Sequence, residues 1–208
     1  MIKALLLIFD PMATWERIVL ARRSVAFVLV VHLLPMLLLV AVAEGYGLVH
    51  WGKWQGEIGR IKNCPVNEAV VVEVLQFLLS LGVVFIGANM IKSIGETFHG
   101  QHTYHQTFTV VAYGLSPLFL LRLLDAFSGV SPWITWSIGL ILSTAVLYQG
   151  VPRLMEPDPP HAFGLFLMSA LLLTLVSGLA RLVTASYLQG KFPKLQVIIS
   201  DVAARLPF

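Results

Sequence analysis

Five long stretches of this chain carry no Asp, Glu, Lys or Arg, and each is bounded by charge, Gly or Pro. They run Val25–Ala43, Val74–Ile91, Gln106–Leu121, Ala126–Pro152 and Ala162–Ala180. The hydrocarbon core of a bilayer, roughly 30 Å thick, needs about 20 apolar residues of helix at a rise of about 1.5 Å each. The runs reach that length alone or with their polar flanks. Backbone N–H and C=O groups in hydrocarbon have no water to bond, so such segments close their hydrogen bonds internally as helices. The fold class that follows is all-α: a polytopic membrane protein built as a five-transmembrane-helix bundle.

Composition agrees. Hydrophobic residues make up 57% of the chain and charged residues 12%, where a soluble domain carries about 25% charge. No room remains for a separate soluble domain, so residues 1–208 read as one membrane domain. A formal charge of +3, dispersed along the chain, is too weak a signal for nucleic acid and suits ends that rest on anionic head groups. The single cysteine, Cys64, excludes an intrachain disulfide and a cysteine-based metal cage.

The sequence predicts an amphipathic arm over 1–24, spans over about 25–43, 70–92, 105–122, 131–151 and 162–182, and an amphipathic tail over 190–208. In the arm, Asp10 suits an N-cap and Pro11 a first helical position. Trp15, Ile18 and Val19 then share a face, which fits a helix lying in the membrane interface with Trp15 at head-group depth; an ordinary basic flank is the plainer alternative. Arg22-Arg23 before a run ending Ala41-Val42-Ala43 imitates a signal peptide. The arm is too long and the run exceeds an h-region, so the segment is expected to stay as the first span. Leu195, Ile198, Ile199, Val202 and Leu206 recur at helical spacing in the tail, which predicts a second interfacial helix.

Five spans place the termini on opposite sides. The arm, the 92–105 connection and the 153–161 connection share one face, with six Lys and Arg against eight on the other. That count does not orient the protein, but Arg22 and Arg23 directly precede the first span and favour a cytoplasmic N-terminus.

Two groups of polar residues invite a chemical reading. Glu96, His99, His102 and His105 are spaced by three, and the topology puts His161 on the same face, so a composite metal site is conceivable. Against it, positions i, i+3 and i+6 fan around a helix, and Gly100 falls among them. A polar connection with a chance run of histidines is the preferred reading. Glu73 lies inside the second span with Gln76 one turn deeper, and an ionisable group at that depth needs a partner. Arg122 and Arg181 end the third and fifth spans on the matching face, so a structural pair of Glu73 with either arginine is expected.

Pro35 and Pro117 lie inside spans and free the carbonyls of Val31 and Tyr113, which predicts kinks. Small residues at Ala170, Thr174 and Gly178, and at Gly139 and Ser143, allow close helix approach within or between subunits. No G-x-S-x-G elbow, His-Glu-x-x-His or phosphate-cradling glycine loop occurs, so an enzyme is not expected and no cofactor is.

Several of these segments together resemble the Yip family, five-span membrane proteins named for interacting with Ypt/Rab GTPases. Phe9-Asp10-Pro11 followed by Trp15 is similar to the family's start. Tyr113-Gly114-Leu115-Ser116-Pro117 is similar to its third-span motif, with Phe98-His99-Gly100 to Phe108 as the lead-in. Tyr148-Gln149-Gly150-Val151-Pro152 resembles its fourth-span ending. The resemblance implies a five-helix bundle with a cytoplasmic N-terminus and a binding or membrane-organising role without catalysis. The short arm points to the bacterial branch, hence to a bacterial cytoplasmic (inner) membrane. The expected partners are the lipid bilayer, further copies of the chain and a membrane or cytoplasmic protein, with no nucleic acid. The alternative is a small channel or transporter for an ion, metal or lipid, using Glu73, Gln76, His32 and the His99–His105 connection.

Overall fold

A computed structural model describes residues 2–55, 60–62, 64–97, 103–158, 160–189 and 191. Among them are five helices long and apolar enough to cross a membrane: Val25–His50, Val66–Thr97, Tyr104–Ala126, Pro132–Met155 and Ala162–Leu188. Two shorter helices, α1 (Ile2–Phe9) and α2 (Pro11–Ala21), precede them. A short antiparallel pair, β1 (Lys53–Gln55) and β2 (Arg60–Lys62), lies between the first two spans, with Trp54 opposite Ile61 in register. Residue 191 apart, the predicted tail lies outside the described residues, as do His99 and His102.

The helices overrun the uncharged runs. The first span continues through Glu44, Gly45 and Gly47 to His50, where the sequence predicts a loop from Glu44 onward. Glycine is tolerated there because the neighbouring chain comes close: a methyl group on Gly47 would lie 2.1 Å from the Ala126 carbonyl oxygen. The third span likewise runs past Leu121 as a 3-10 turn over Arg122–Ala126. These overruns carry charged residues into the bundle.

The third span is the hub. Buried residues make up 72% of its most apolar stretch, against 33–39% for the other four. It packs on the first, second and fourth spans, while the fifth closes the bundle against the second and fourth. A helix surrounded by protein needs less apolar surface, and its hydroxyls bond its own backbone. Thr109 Oγ1 donates to the His105 carbonyl at 2.7 Å and Ser116 Oγ to that of Ala112 at 3.1 Å. Outward, the other spans present Val30, Leu39, Leu78, Ile86, Ile141 and Leu175, an apolar surface of the kind lipid covers.

Both prolines distort their helices, each differently. Before Pro35, residues Val28–Leu33 form a π-helix, whose wider turn accommodates the proline ring and the carbonyl it leaves unbonded. At Pro117 the third span breaks into Tyr104–Gly114 and Ser116–Leu121, with Leu115 at φ −84°, ψ 0°. The break frees the Leu118 N–H, and Ser143 Oγ of the fourth span accepts it at 3.1 Å. Gly139, one turn earlier on the fourth span, lets Leu118 approach: a methyl group there would meet its Cα at 2.9 Å. The Gly139–Ser143 stripe therefore packs inside the subunit. Gly178 of the other stripe faces Trp136, 3.5 Å from where its Cβ would lie.

Candidate functional site

Two polar constellations sit inside the bundle, and the third span belongs to both. The first is a chain of ion pairs. Arg122 donates from Nη2 to Glu44 Oε2 at 3.1 Å and from Nη1 to Ser80 Oγ at 2.9 Å. Gln76 Nε2 donates to the same Glu44 oxygen at 2.5 Å, and Ser80 Oγ donates to the Gln76 carbonyl at 2.7 Å. The first, second and third spans are thereby tied at one level. Three residues on, Asp125 accepts from Arg181 Nη2 at 2.5 Å and from the Thr135 hydroxyl, tying in the fifth and fourth spans. Glu44, Asp125 and Arg122 are 2%, 1% and 9% exposed. At such burial a carboxylate or guanidinium is tolerable only when paired and hydrogen-bonded.

Of the residues grouped from sequence as an intramembrane pair, Arg122 and Arg181 hold ion pairs with Glu44 and Asp125. Glu73 is buried at 7% exposure on the second span, where its Cγ lies against Gly45 of the first. Glu44 and Asp125 each lie just beyond the end of a span predicted from sequence, where a loop is the natural expectation. One signal was available: Asp125 follows Arg122 by three residues, a spacing at which one helical turn presents opposite charges side by side.

The second constellation is an aromatic joint. Trp15 is fully buried against the protein. Its indole N–H donates to the Val146 carbonyl at 3.0 Å, and its ring meets Tyr113 edge-on at 6.3 Å. Tyr113 in turn lies 4.1 Å, centroid to centroid, from the His32 ring. His32 Nε2 and Ser116 Oγ share a hydrogen bond of 2.8 Å. Gly150 makes the joint possible, since a methyl group there would fall 2.3 Å from Trp15 Cζ2. The arm's apolar face is thus turned to the third and fourth spans, while Leu5, Phe9, Met12 and Leu20 face outward.

The motif residues quoted from sequence fall around this joint or at its edges. Asp10 Oδ1 caps α2 by accepting from the Ala13 N–H at 3.3 Å, with Pro11 at the first helical position. Pro117 follows the break below Tyr113, and the Pro152 carbonyl accepts from the Glu156 N–H at the end of the fourth span. Tyr148 is exposed, with its ring edge-on to Phe166 at 5.2 Å.

The metal reading gains no geometry. Glu96 is ion-paired with Lys92 at 3.8 Å, and the His105 ring bonds the Arg23 carbonyl. Among the described residues, including His161, no three His, Cys, Asp or Glu side chains cluster as a metal site would need.

No curated protein and no solved structure matches the chain. The Yip1 domain matches residues 5–184, a stretch that takes in most of the arm, the first four spans, most of the fifth, both constellations and every motif residue. The chain is an integral membrane protein that belongs to the Yip1 domain family.

Proposed function

We propose that this protein is a non-enzymatic membrane scaffold or adaptor of the Yip type, organising membrane or partner proteins through its outer surfaces. The carrying observation is what happens to the polar groups in its interior. Glu44, Gln76, Arg122, Asp125, Arg181 and His32 are bonded to one another or to hydroxyls across helices, an arrangement that fastens spans together. The opening among Gln76, Ser80, Arg122 and Arg181 measures about 40 Å³, room for a water molecule but not for a hydrated ion in transit. The setting we assign is a bacterial cytoplasmic membrane with the N-terminus cytoplasmic. Cross-linking in native membranes followed by affinity capture tests the reading. A defined co-purifying protein, or a second copy, is expected, and recovery of the chain alone at every cross-linker concentration argues against it.

One observation favours the rival, a small transporter. An apolar groove of about 500 Å³ lies between the first and second spans, bordered by Leu38, Val42, Tyr46, Val70 and Val74, with Glu73 in its wall. Reconstitution into liposomes separates the two. The scaffold reading expects no ion flux and no lipid transfer above protein-free vesicles, and flux abolished by Glu73→Gln would establish the rival.

A further inference from the structure

At the face carrying the N-terminal arm, the end of α2, the start of the third span and the end of the fourth enclose a cavity of about 400 Å³. Its charge is lopsided. Lys3, Arg22, Arg23 and Arg153 line it, against one carboxylate, Glu156. Among the described residues none of these four cations holds an ion pair. The Arg23 guanidinium lies over the Phe27 ring at 4.6 Å, and Arg153 Nη1 donates to the Gln149 carbonyl and side-chain oxygen at 2.9 and 2.6 Å. Those contacts orient the guanidiniums without neutralising them.

Cations at the ends of α2 and the fourth span meet the negative ends of two helix dipoles. Each end supplies roughly half a unit of negative charge, which does not balance four cations against one carboxylate. The crowding is felt: burial, and then the nearby Arg23, lower the Lys3 pKa from its ordinary value. Arg22 (φ 39°) and Glu156 (φ 42°) are the left-handed caps that end α2 and the fourth span, and both line the cavity. Thr103 and Gln106 at the capped start of the third span add hydrogen-bonding groups, and Ile18 and Val28 an apolar wall.

We propose that this cavity is a phosphate site, taking the head-group phosphate of an anionic membrane lipid or the same group on a soluble ligand. Its volume lies within the range of about 300–1,000 Å³ usual for small-ligand sites, and guanidinium groups such as those that line it suit phosphate oxygens bidentately. This goes beyond the scaffold reading and stands or falls separately from it.

The test uses the purified full chain in neutral detergent, with native mass spectrometry reading retained lipid after addition of phosphatidic acid, phosphatidylglycerol or phosphatidylcholine. A parallel thermal-shift series uses inorganic phosphate. Selective retention of the anionic lipids is expected. Lys3→Gln and Arg153→Gln should each weaken it about fivefold, and together about 25-fold, at roughly 1 kcal/mol per cation near a lipid surface. Arg17→Gln, which removes an exposed arm cation outside the cavity, should change nothing. Arg153→Lys keeps the charge but not the bidentate fork, so it should bind more tightly than Arg153→Gln and less tightly than the unaltered chain, while unchanged melting of both variants without ligand separates loss of the site from loss of the fold. Stabilisation by inorganic phosphate, sensitive to the same two substitutions and without lipid selectivity, would assign the site to a soluble phosphate. Binding that ignores Lys3→Gln and Arg153→Gln, or falls equally with Arg17→Gln, or shows no preference for phosphate anions, overturns the proposal.

Discussion

Arg122 and Asp125 stand side by side on the last turn of the third span and direct opposite charges to different helices. Arg122 reaches Glu44 of the first span and Asp125 receives Arg181 of the fifth. A single short 3-10 segment thus carries both halves of the intramembrane clamp. Cutting a buried pair on one side leaves the other charge stranded, at a cost of about 3–5 kcal/mol, whereas an apolar pair of similar volume is often neutral. Glu44→Ala should therefore destabilise the bundle by about that amount, and Glu44→Leu combined with Arg122→Met should recover most of it. Reversible unfolding of the reconstituted protein, run as a double-mutant cycle, measures both. Independent, additive losses would contradict the clamp.

The Trp15–Gly150 contact gives a steric prediction. A methyl group at Gly150 would penetrate the indole, which is held in place by its bond to the Val146 carbonyl. Gly150→Ala should lower stability by about 1–3 kcal/mol, the usual range for overpacking. Trp15→Leu in the same chain should relieve part of that loss. Intrinsic fluorescence and melting in detergent follow the two substitutions, and equal tolerance of Gly150→Ala with and without Trp15 would count against the joint.

Ser143 answers a defect that Pro117 creates. Removing the hydroxyl leaves the Leu118 N–H buried without its acceptor, which costs about 1–3 kcal/mol for a buried polar group. Ser143→Ala should raise hydrogen exchange selectively at Leu118 and its neighbours in the third span. Unchanged protection there would show that the break is held by other means.

These relationships bear unequally on what the sequence could tell. Uncharged runs reveal spans because hydrocarbon excludes charge, and all five appear as helices in the structure. The same logic hid the clamp, since Glu44 and Asp125 lie where the runs stop but the helices do not. Trp15 was legible as part of an apolar face, together with Ile18. Whether that face meets lipid or protein depends on Gly150, a residue 135 positions away whose missing side chain makes the socket. Pairing across such separations leaves no local signature. The cavity beside Arg23 and Arg153 was hidden for the same reason, since its cations come from separate stretches of the chain.

A pH dependence follows from Lys3. Its folded pKa lies below the ordinary 10.5, chiefly through burial and then through Arg23. The folded arm therefore binds fewer protons than the unfolded one between the lowered value and 10.5, so docking strengthens as pH rises through that window. Below the window the penalty for the charged lysine is fully present. Limited proteolysis of the arm in phosphate-free buffer should slow as the pH is raised towards 10.5, and Lys3→Gln should flatten that dependence. Proteolysis that quickens over the same window in the unaltered chain, but not in Lys3→Gln, would reverse the assigned sign.

In the proposed scaffold, the buried charges fasten the bundle and partners bind its outer surfaces. Affinity capture from native membranes, comparing the unaltered chain with Glu44→Leu/Arg122→Met, separates the two roles. A stably folded double variant should capture the same partners as the unaltered protein. A variant that remains folded yet loses those partners would place the buried charges in the activity itself.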